Sequence, residues 1–276
     1  MTTTTARATF SSLSPWWRTG VLIAMIVGFS VLIGMTVSAY QVAPPIPDKV
    51  VDVNGATLFT GDDIRAGQAV FLKYGLMENG TIWGHGAYLG PDFSAEYLHT
   101  LGVDASAALA GQSYGKTPEA LAPAERSAVE AQVASLLKEN RYDPAAHTLT
   151  FTEVEAASFQ SQIAKWTNYF AKPDNNAGLQ PALISDQNEL RQLTAFFAWT
   201  AWASVANRPD KPYSYTNNFP YDPLVGNVAT TDALVWSALS IVALLGGIAL
   251  VLFVFGRFNF LGWKAGEEGH VHPKPI

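Results

Sequence analysis

Two long uncharged apolar runs constrain this chain more than any other feature. From Val21 to Tyr40 no residue carries a charge, and nearly all are apolar or small. A helix of about twenty residues at ~1.5 Å rise crosses a hydrocarbon core of about 30 Å. Trp16 and Trp17 precede the run and Tyr40 ends it, as expected of an interfacial aromatic belt. The second run, ALVWSALSIVALLGGIALVLFVF, extends from Ala233 to Phe255 and is also uncharged. Its Gly246 and Gly247 would let another helix approach closely, although glycine is also simply common in membrane helices. A secretory signal would need a short apolar core and a small-residue cleavage site. The first run is long and is followed by Tyr40-Gln41-Val42-Ala43-Pro44-Pro45, so a retained anchor is expected.

Lys and Arg near the ends of the spans set the orientation. Arg7 and Arg18 precede the first span; Arg257, Lys264 and Lys274 follow the second. Residues 41–231 carry 12 Lys and Arg against 20 Asp and Glu, a net of −8. The expected division is a cytoplasmic N-terminus (1–17), a first membrane helix (18–40), an extracytoplasmic domain (41–231), a second membrane helix (232–256) and a cytoplasmic tail or linker (257–276). The domain between the spans is long enough for its own core. The chain has no cysteine, which excludes disulfides, Cys-ligated zinc, iron–sulfur clusters and covalent c-type haem. A formal charge of −6 with no basic block argues against nucleic acid as a partner.

Between the spans the pattern is mainly helical. Val50 to Thr60 alternates weakly around Asn54-Gly55, which predicts a small hairpin. Asp62 or Asp63 is placed to cap a helix through Ile64, Gly67, Gln68, Phe71 and Leu72. Pro91-Asp92-Phe93-Ser94 opens another through Tyr97, Leu98 and Leu101. Pro123 begins a segment ending near Glu139, with Val129, Val133, Leu136 and Leu137 on one side. Thr148 to Thr152 reads as one short strand. Glu153 to Phe170 is helical, with Phe159, Ile163, Trp166 and Phe170 at helical spacing. Gln187 to Val205 is a further helix, aromatic on more than one side through Phe196, Phe197, Trp199 and Trp202. These aromatics suit a packed core or a face toward a membrane-embedded partner, and the helix is expected to be buried all round. Residues 207–230, rich in Pro, Asn and Tyr, read as ordered but irregular.

The stretch GLMENGTIWGHGAYLGPDFSAEYLH, from Gly75 to His99, is a helix end, a glycine-rich loop and a helix start. Such a loop serves either as a tight connector or to bring backbone carbonyls or amides close to a ligand or partner. This stretch resembles the N-terminal region of the quinol-dependent nitric oxide reductases of the haem–copper oxidase superfamily. FFAWTAWASVANRPDKPYSYTNNFPYDPLVGN, from Phe196 to Asn227, is similar to that family's second signature. The order of anchor, outer domain and second span also matches, so the resemblance covers essentially the whole chain.

The resemblance implies a mainly α fold: two transmembrane helices flanking a periplasmic, cytochrome c-like domain with little β structure. That domain has lost its haem. Where the cytochrome c subunit of the related enzyme carries C-x-x-C-H before a G-A-Y triplet, the ungapped match gives Leu76, Asn79 and Gly80. A membrane quinol is then the implied electron donor. The triplet is Gly86-Ala87-Tyr88, and the resemblance implies that Gly86 and Tyr88 contact a calcium ion between the two haems' propionates, together with a glutamate of the catalytic part. Carbonyl oxygens suit this hard cation.

No catalytic residue and no other cofactor site is expected in this chain. Haem b, haem b3 and non-haem iron would lie in a bundle of membrane helices, either further along a longer chain of which this is a part or in a separate subunit. His85, His99, His147, His270 and His272 all fall outside the apolar runs. His85 reads as a hydrogen-bonding loop residue or, alternatively, a metal ligand, and the His270-x-His272 pair as a linker or a metal site. The expected role is noncatalytic: to cap the outer face of a bundle that reduces two NO to N2O and water, in a bacterial inner membrane, with lipid contact and a homodimer as further expectations. A nitric oxide dismutase-like relative and a two-span periplasmic sensor are the alternatives.

Overall fold

The computed structural model describes residues 15–172 and 177–258, in two units, 1–45 and 46–276. The expectations for the first residues of the N-terminus, for Lys264 and Lys274, and for His270 and His272 lie outside the described residues.

In the first unit, α1 spans Pro15–Gln41. Its stretch Arg18–Gln41 reaches a mean hydropathy of 2.4 over its most apolar 18 residues and is long and apolar enough to cross a membrane. In the second unit, α7 spans Thr231–Phe258, reaches a mean hydropathy of 2.8 over its most apolar 18 residues and has the same character. Neither stretch has a buried residue in its most apolar window, as expected of surfaces meant for lipid or for other helices.

Residues 46–230 fold into a helical domain with a small sheet at one side. Strands β1 (Lys49–Val51) and β2 (Thr57–Thr60) form the hairpin that Asn54-Gly55 predicted. Asp52 Oδ1 accepts from the N–H groups of Asn54 (2.9 Å) and Ala56 (2.8 Å), which closes the turn without water. The strand expected near Thr148 is β6 (Thr148–Thr150), which pairs parallel with β1. A second partner, β5 (Tyr142–Asp143), extends the sheet to the order β2-β1-β6-β5. The parallel pairing has no local signal, because it joins residues far apart in sequence, and β5 is only two residues long, too short for an alternating pattern to show.

Helix α2 covers Gly61–Lys73, and its cap differs from expectation. Thr60 is the N-cap, with Asp63 three residues in: Asp63 Oδ2 accepts from Thr60 N–H at 2.8 Å, and Thr60 Oγ1 accepts from Asp63 N–H at 3.2 Å. This reciprocal pair satisfies two otherwise orphaned donors, which neither aspartate would do alone. Helix α3 covers Phe93–Tyr114, capped by Asp92 and stopped at Gly115 in the left-handed conformation. Helices α4 (Pro123–Lys138), α5 (Glu153–Ala171) and α6 (Gln187–Val205) follow the sequence pattern closely.

Helix α6 is the axis of the domain and packs against α2, α3 and α5. Every residue from Leu193 to Val205 is buried, so Phe196, Phe197, Trp199 and Trp202 are core. Phe93 stacks on Phe197 with centroids 4.9 Å apart, and Trp166 meets Phe197 edge-on at 5.0 Å. Phe71 closes the cluster 5.8 Å from Phe93. Gly67 lets α2 press onto α6, because a β-carbon there would sit 2.0 Å from the Gln192 carbonyl oxygen. Phe197→Ala removes a ring shared by three helices and is expected to cost about 3–5 kcal/mol. Denaturant unfolding of the full chain in detergent measures this, and a loss below about 1 kcal/mol would contradict the central place of this ring.

Candidate functional site

The glycine-rich stretch folds into one compact loop. After α2, the chain makes a tight helical turn at Leu76–Glu78 and enters a two-strand hairpin, β3 (Thr81–Ile82) and β4 (His85–Gly86). Its two turn residues, Trp83 and Gly84, have φ of 53° and 77°. Positive φ at both central positions matches the twist of a hairpin but is costly for tryptophan. Trp83 is held there from three sides. Its Nε1–H donates to Thr200 O (3.0 Å), its ring lies 5.6 Å from Trp199, and its N–H donates to Ser94 Oγ (3.1 Å).

Asp92 fastens this hairpin to α3. Its Oδ2 accepts from Gly84 N–H (2.6 Å) and Thr81 Oγ1–H (2.7 Å). Its Oδ1 accepts from Ala95 N–H (2.9 Å), as a helix cap, and from the Ser94 hydroxyl. One half-buried carboxylate thus sets the hairpin tip and the helix start together.

In such a hairpin the residues flanking the turn exchange both ladder bonds, and the next pair does not bond across. Thr81 N–H accordingly goes to Pro91 O at 3.0 Å. This leaves the Gly86 carbonyl on the outer side of the ladder. Gly86 has φ 139°, and a β-carbon on it would lie 2.3 Å from Gly80 O, so only glycine fits. Beyond it, Ala87 N–H donates to Met77 O (2.8 Å) and Leu89 N–H to Asn79 O (3.1 Å). These bonds pin the loop while Tyr88 and Leu89 stand in the open, 85% and 74% exposed. Tyr88 OH donates back to Gly84 O at 3.3 Å. The two residues expected to contact calcium, Gly86 and Tyr88, therefore share one exposed loop.

The second signature meets the first at this loop. The Phe219 ring lies 3.0 Å from where a Gly84 β-carbon would be. Tyr221 is exposed beside it, and His99 Nδ1 on α3 lies 3.0 Å from Asp222 Oδ2. The irregular residues 207–228 are held by polar side chains instead of a ladder. Asn227 Nδ2 donates to Ser204 O (2.9 Å) and Pro220 O (3.1 Å). Lys138 Nζ, from the end of α4, donates to Asn227 Oδ1 (2.8 Å) and Asn218 Oδ1 (3.2 Å). Half-buried among amide oxygens, Lys138 has its pKa pushed down by burial, from 10.5 to about 8.

The other two described histidines lie apart. His85 is exposed on the hairpin, and His147 Nδ1 lies 3.3 Å from Tyr142 OH at the small sheet. No group of three or more His, Asp or Glu able to hold a metal occurs among the described residues. Sequence reasoning missed Asp92 as an anchor, the His99–Asp222 pair and Lys138. Of these, only Asp92 carried a local signal, as a capping residue after Pro91.

The residues aligned with a haem-attachment run have structural roles. Leu76 is fully buried, and Asn79 is 5% exposed. A β-carbon on Gly80 would lie 2.3 Å from Pro91 O and 2.7 Å from the Phe93 ring. Its side-chain space belongs to the aromatic cluster.

A membrane protein whose chain carries a helical domain between two helices of membrane length is the class that the fold defines. The family model for the cytochrome c-like domain of NorB, a nitric oxide reductase component, matches residues 47–221, well over half of the chain. The chain belongs to the NorB family of nitric oxide reductases. The comparison with curated proteins found no match.

Asp92→Ala removes a helix cap and strips Gly84 and Thr81 of their acceptor, so a loss of about 2–3 kcal/mol is expected on denaturant unfolding. An unchanged midpoint would contradict the anchoring role. For Lys138 the sign follows from its lowered value. The unfolded chain keeps this proton up to about 10.5, the folded one only to about 8. Between those values the unfolded state binds more protons, so this group makes stability rise with pH. The thermal midpoint of the full chain, minus that of Lys138→Met, is expected to increase from pH 7.5 to 9.5 (roughly the window in which the folded state alone is deprotonated). A difference independent of pH would contradict the assignment.

Proposed function

We propose that this chain is a noncatalytic portion of a quinol-dependent nitric oxide reductase. Its outer domain covers the periplasmic face of the helix bundle that binds haem b, haem b3 and non-haem iron, where two NO become N2O and water. The observation that carries this reading is the packing at Gly80. An axial histidine there would collide with Pro91 and Phe93, so the domain has exchanged a haem site for an aromatic core. A domain without haem cannot relay electrons from a soluble cytochrome, and the donor is then a quinol in the membrane.

The exposed Tyr88, Leu89, Phe219 and Tyr221 supply the apolar surface that would rest on the bundle. At its edge Gly86 and Tyr88 offer oxygen donors for calcium. Calcium takes six to eight oxygens, so two residues contribute part of the set and the bundle the remainder. The outward Gly86 carbonyl and the open position of Tyr88 fit that division. Bound there, the ion would neutralise haem propionates and tie the two parts together. Excess Lys and Arg at the chain-terminal ends of the spans supports cytoplasmic termini and a periplasmic centre. The exposed face of α7 meets lipid or a second copy of the chain.

The test is to produce the chain together with the catalytic helices, in one polypeptide or as separate subunits, and follow NO consumption, haem and calcium. Ubiquinol is expected to drive the reaction and reduced soluble cytochrome c to fail. Tyr88→Ala, at a site too exposed to affect folding, is expected to lower calcium content and activity together. Full activity, haem and calcium after deletion of residues 46–230 would refute the capping role.

A further inference from the structure

Between α3 and α5 runs a buried polar seam that the exposed loop does not use. The two helices are antiparallel here. Phe93 meets Trp166 at 5.6 Å, and Gln162 Nε2 donates to Tyr97 O at 3.2 Å. That register sets Tyr97 opposite Gln162 and, two turns along, Asp104 opposite Glu155. The Glu155 carboxylate is already engaged by Arg141 Nη2 (2.8 Å) and by Thr152 N–H (2.8 Å).

Three other polar atoms of the seam are not engaged. Tyr97 OH, Gln162 Oε1 and Asp104 Oδ2 are shut off from solvent and have no hydrogen-bond partner among the described residues. Tyr97 and Gln162 are 1% and 0% exposed. Leaving such groups unpaired costs about 1–3 kcal/mol each, so a folded domain satisfies them. Burial, and then the carboxylates of Glu155 and Asp104, push the Tyr97 hydroxyl well above its ordinary range. It keeps its proton and is a donor, and both carboxylates are near enough to act on it.

The unmet set is therefore one donor and two acceptors. A cation would suit the two oxygens but would face the phenol proton. A water molecule accepts from the phenol and donates to both oxygens, the number of bonds that buried waters typically make. We propose that a structural water is held between α3 and α5 by Tyr97 OH, Gln162 Oε1 and Asp104 Oδ2, joining the two helices.

Hydroxyl-radical footprinting of the full chain in detergent tests this, because ionising radiation makes radicals from a bound water in place. Tyr97 is expected to be oxidised severalfold faster than Phe59 and Phe159, which are as well shielded at 1% and 0% exposure. The excess is expected to vanish at position 97 in the double variant Tyr97→Phe, Gln162→Leu. Oxidation of Tyr97 no faster than that of Phe59 and Phe159 would overturn the proposal. So would a high-resolution density map in which Tyr97 OH bonds directly to Asp104 or Gln162.

Discussion

The exposed glycine-rich loop depends on the Asp92 carboxylate. Four hydrogen bonds converge on it: two from the hairpin turn and strand, two from the first turn of α3. Glycine-rich loops lose much backbone entropy on ordering, and this one also holds a tryptophan in left-handed backbone. Neither strand of the hairpin exceeds two residues, so the ladder alone cannot hold it. The carboxylate and the Trp83–Thr200 bond do so, by tethering the loop to α3 and α6. Since α6 is buried from Leu193 to Val205, the loop inherits the rigidity of the core.

Much of this architecture was legible in the sequence because its signals are local. The uncharged runs at 21–40 and 233–255 fall within helices of membrane length. The spacing of Phe159, Trp166 and Phe170 found α5, and the aromatic girth of α6 announced a helix buried on every side. What the sequence did not show depends on pairings that no residue type announces. Strand β5 is two residues long and exists because β6 lies beside it. Thr60 caps α2 through a reciprocal pair, whereas either neighbouring aspartate looked sufficient by itself. The His99–Asp222 pair joins residues on two different signatures, and nothing near either one announces the other.

The loop itself was legible in a different way. Its residue types, many glycines with an exposed tyrosine, suggested close backbone approach but left the object of that approach open. The structure shows part of the answer: Gly86 approaches Gly80, and Gly80 approaches the Phe93 ring. The family's cytochrome c-like domain here stands on aromatic packing between helices, with Phe93, Trp166 and Phe197 at its centre. A core of this kind makes the domain a rigid support, and the exposed loop is what it supports.

The most direct test places a photo-cross-linking amino acid at Tyr88 in the full chain, produced with its catalytic helices, and a control at the exposed Leu72. Mass spectrometry of the cross-linked peptides reads the result. The account predicts that position 88 captures the periplasmic loops of the haem-bearing bundle and that position 72 does not. Capture of the bundle from position 72 alone, or from neither position in an active enzyme, would contradict it.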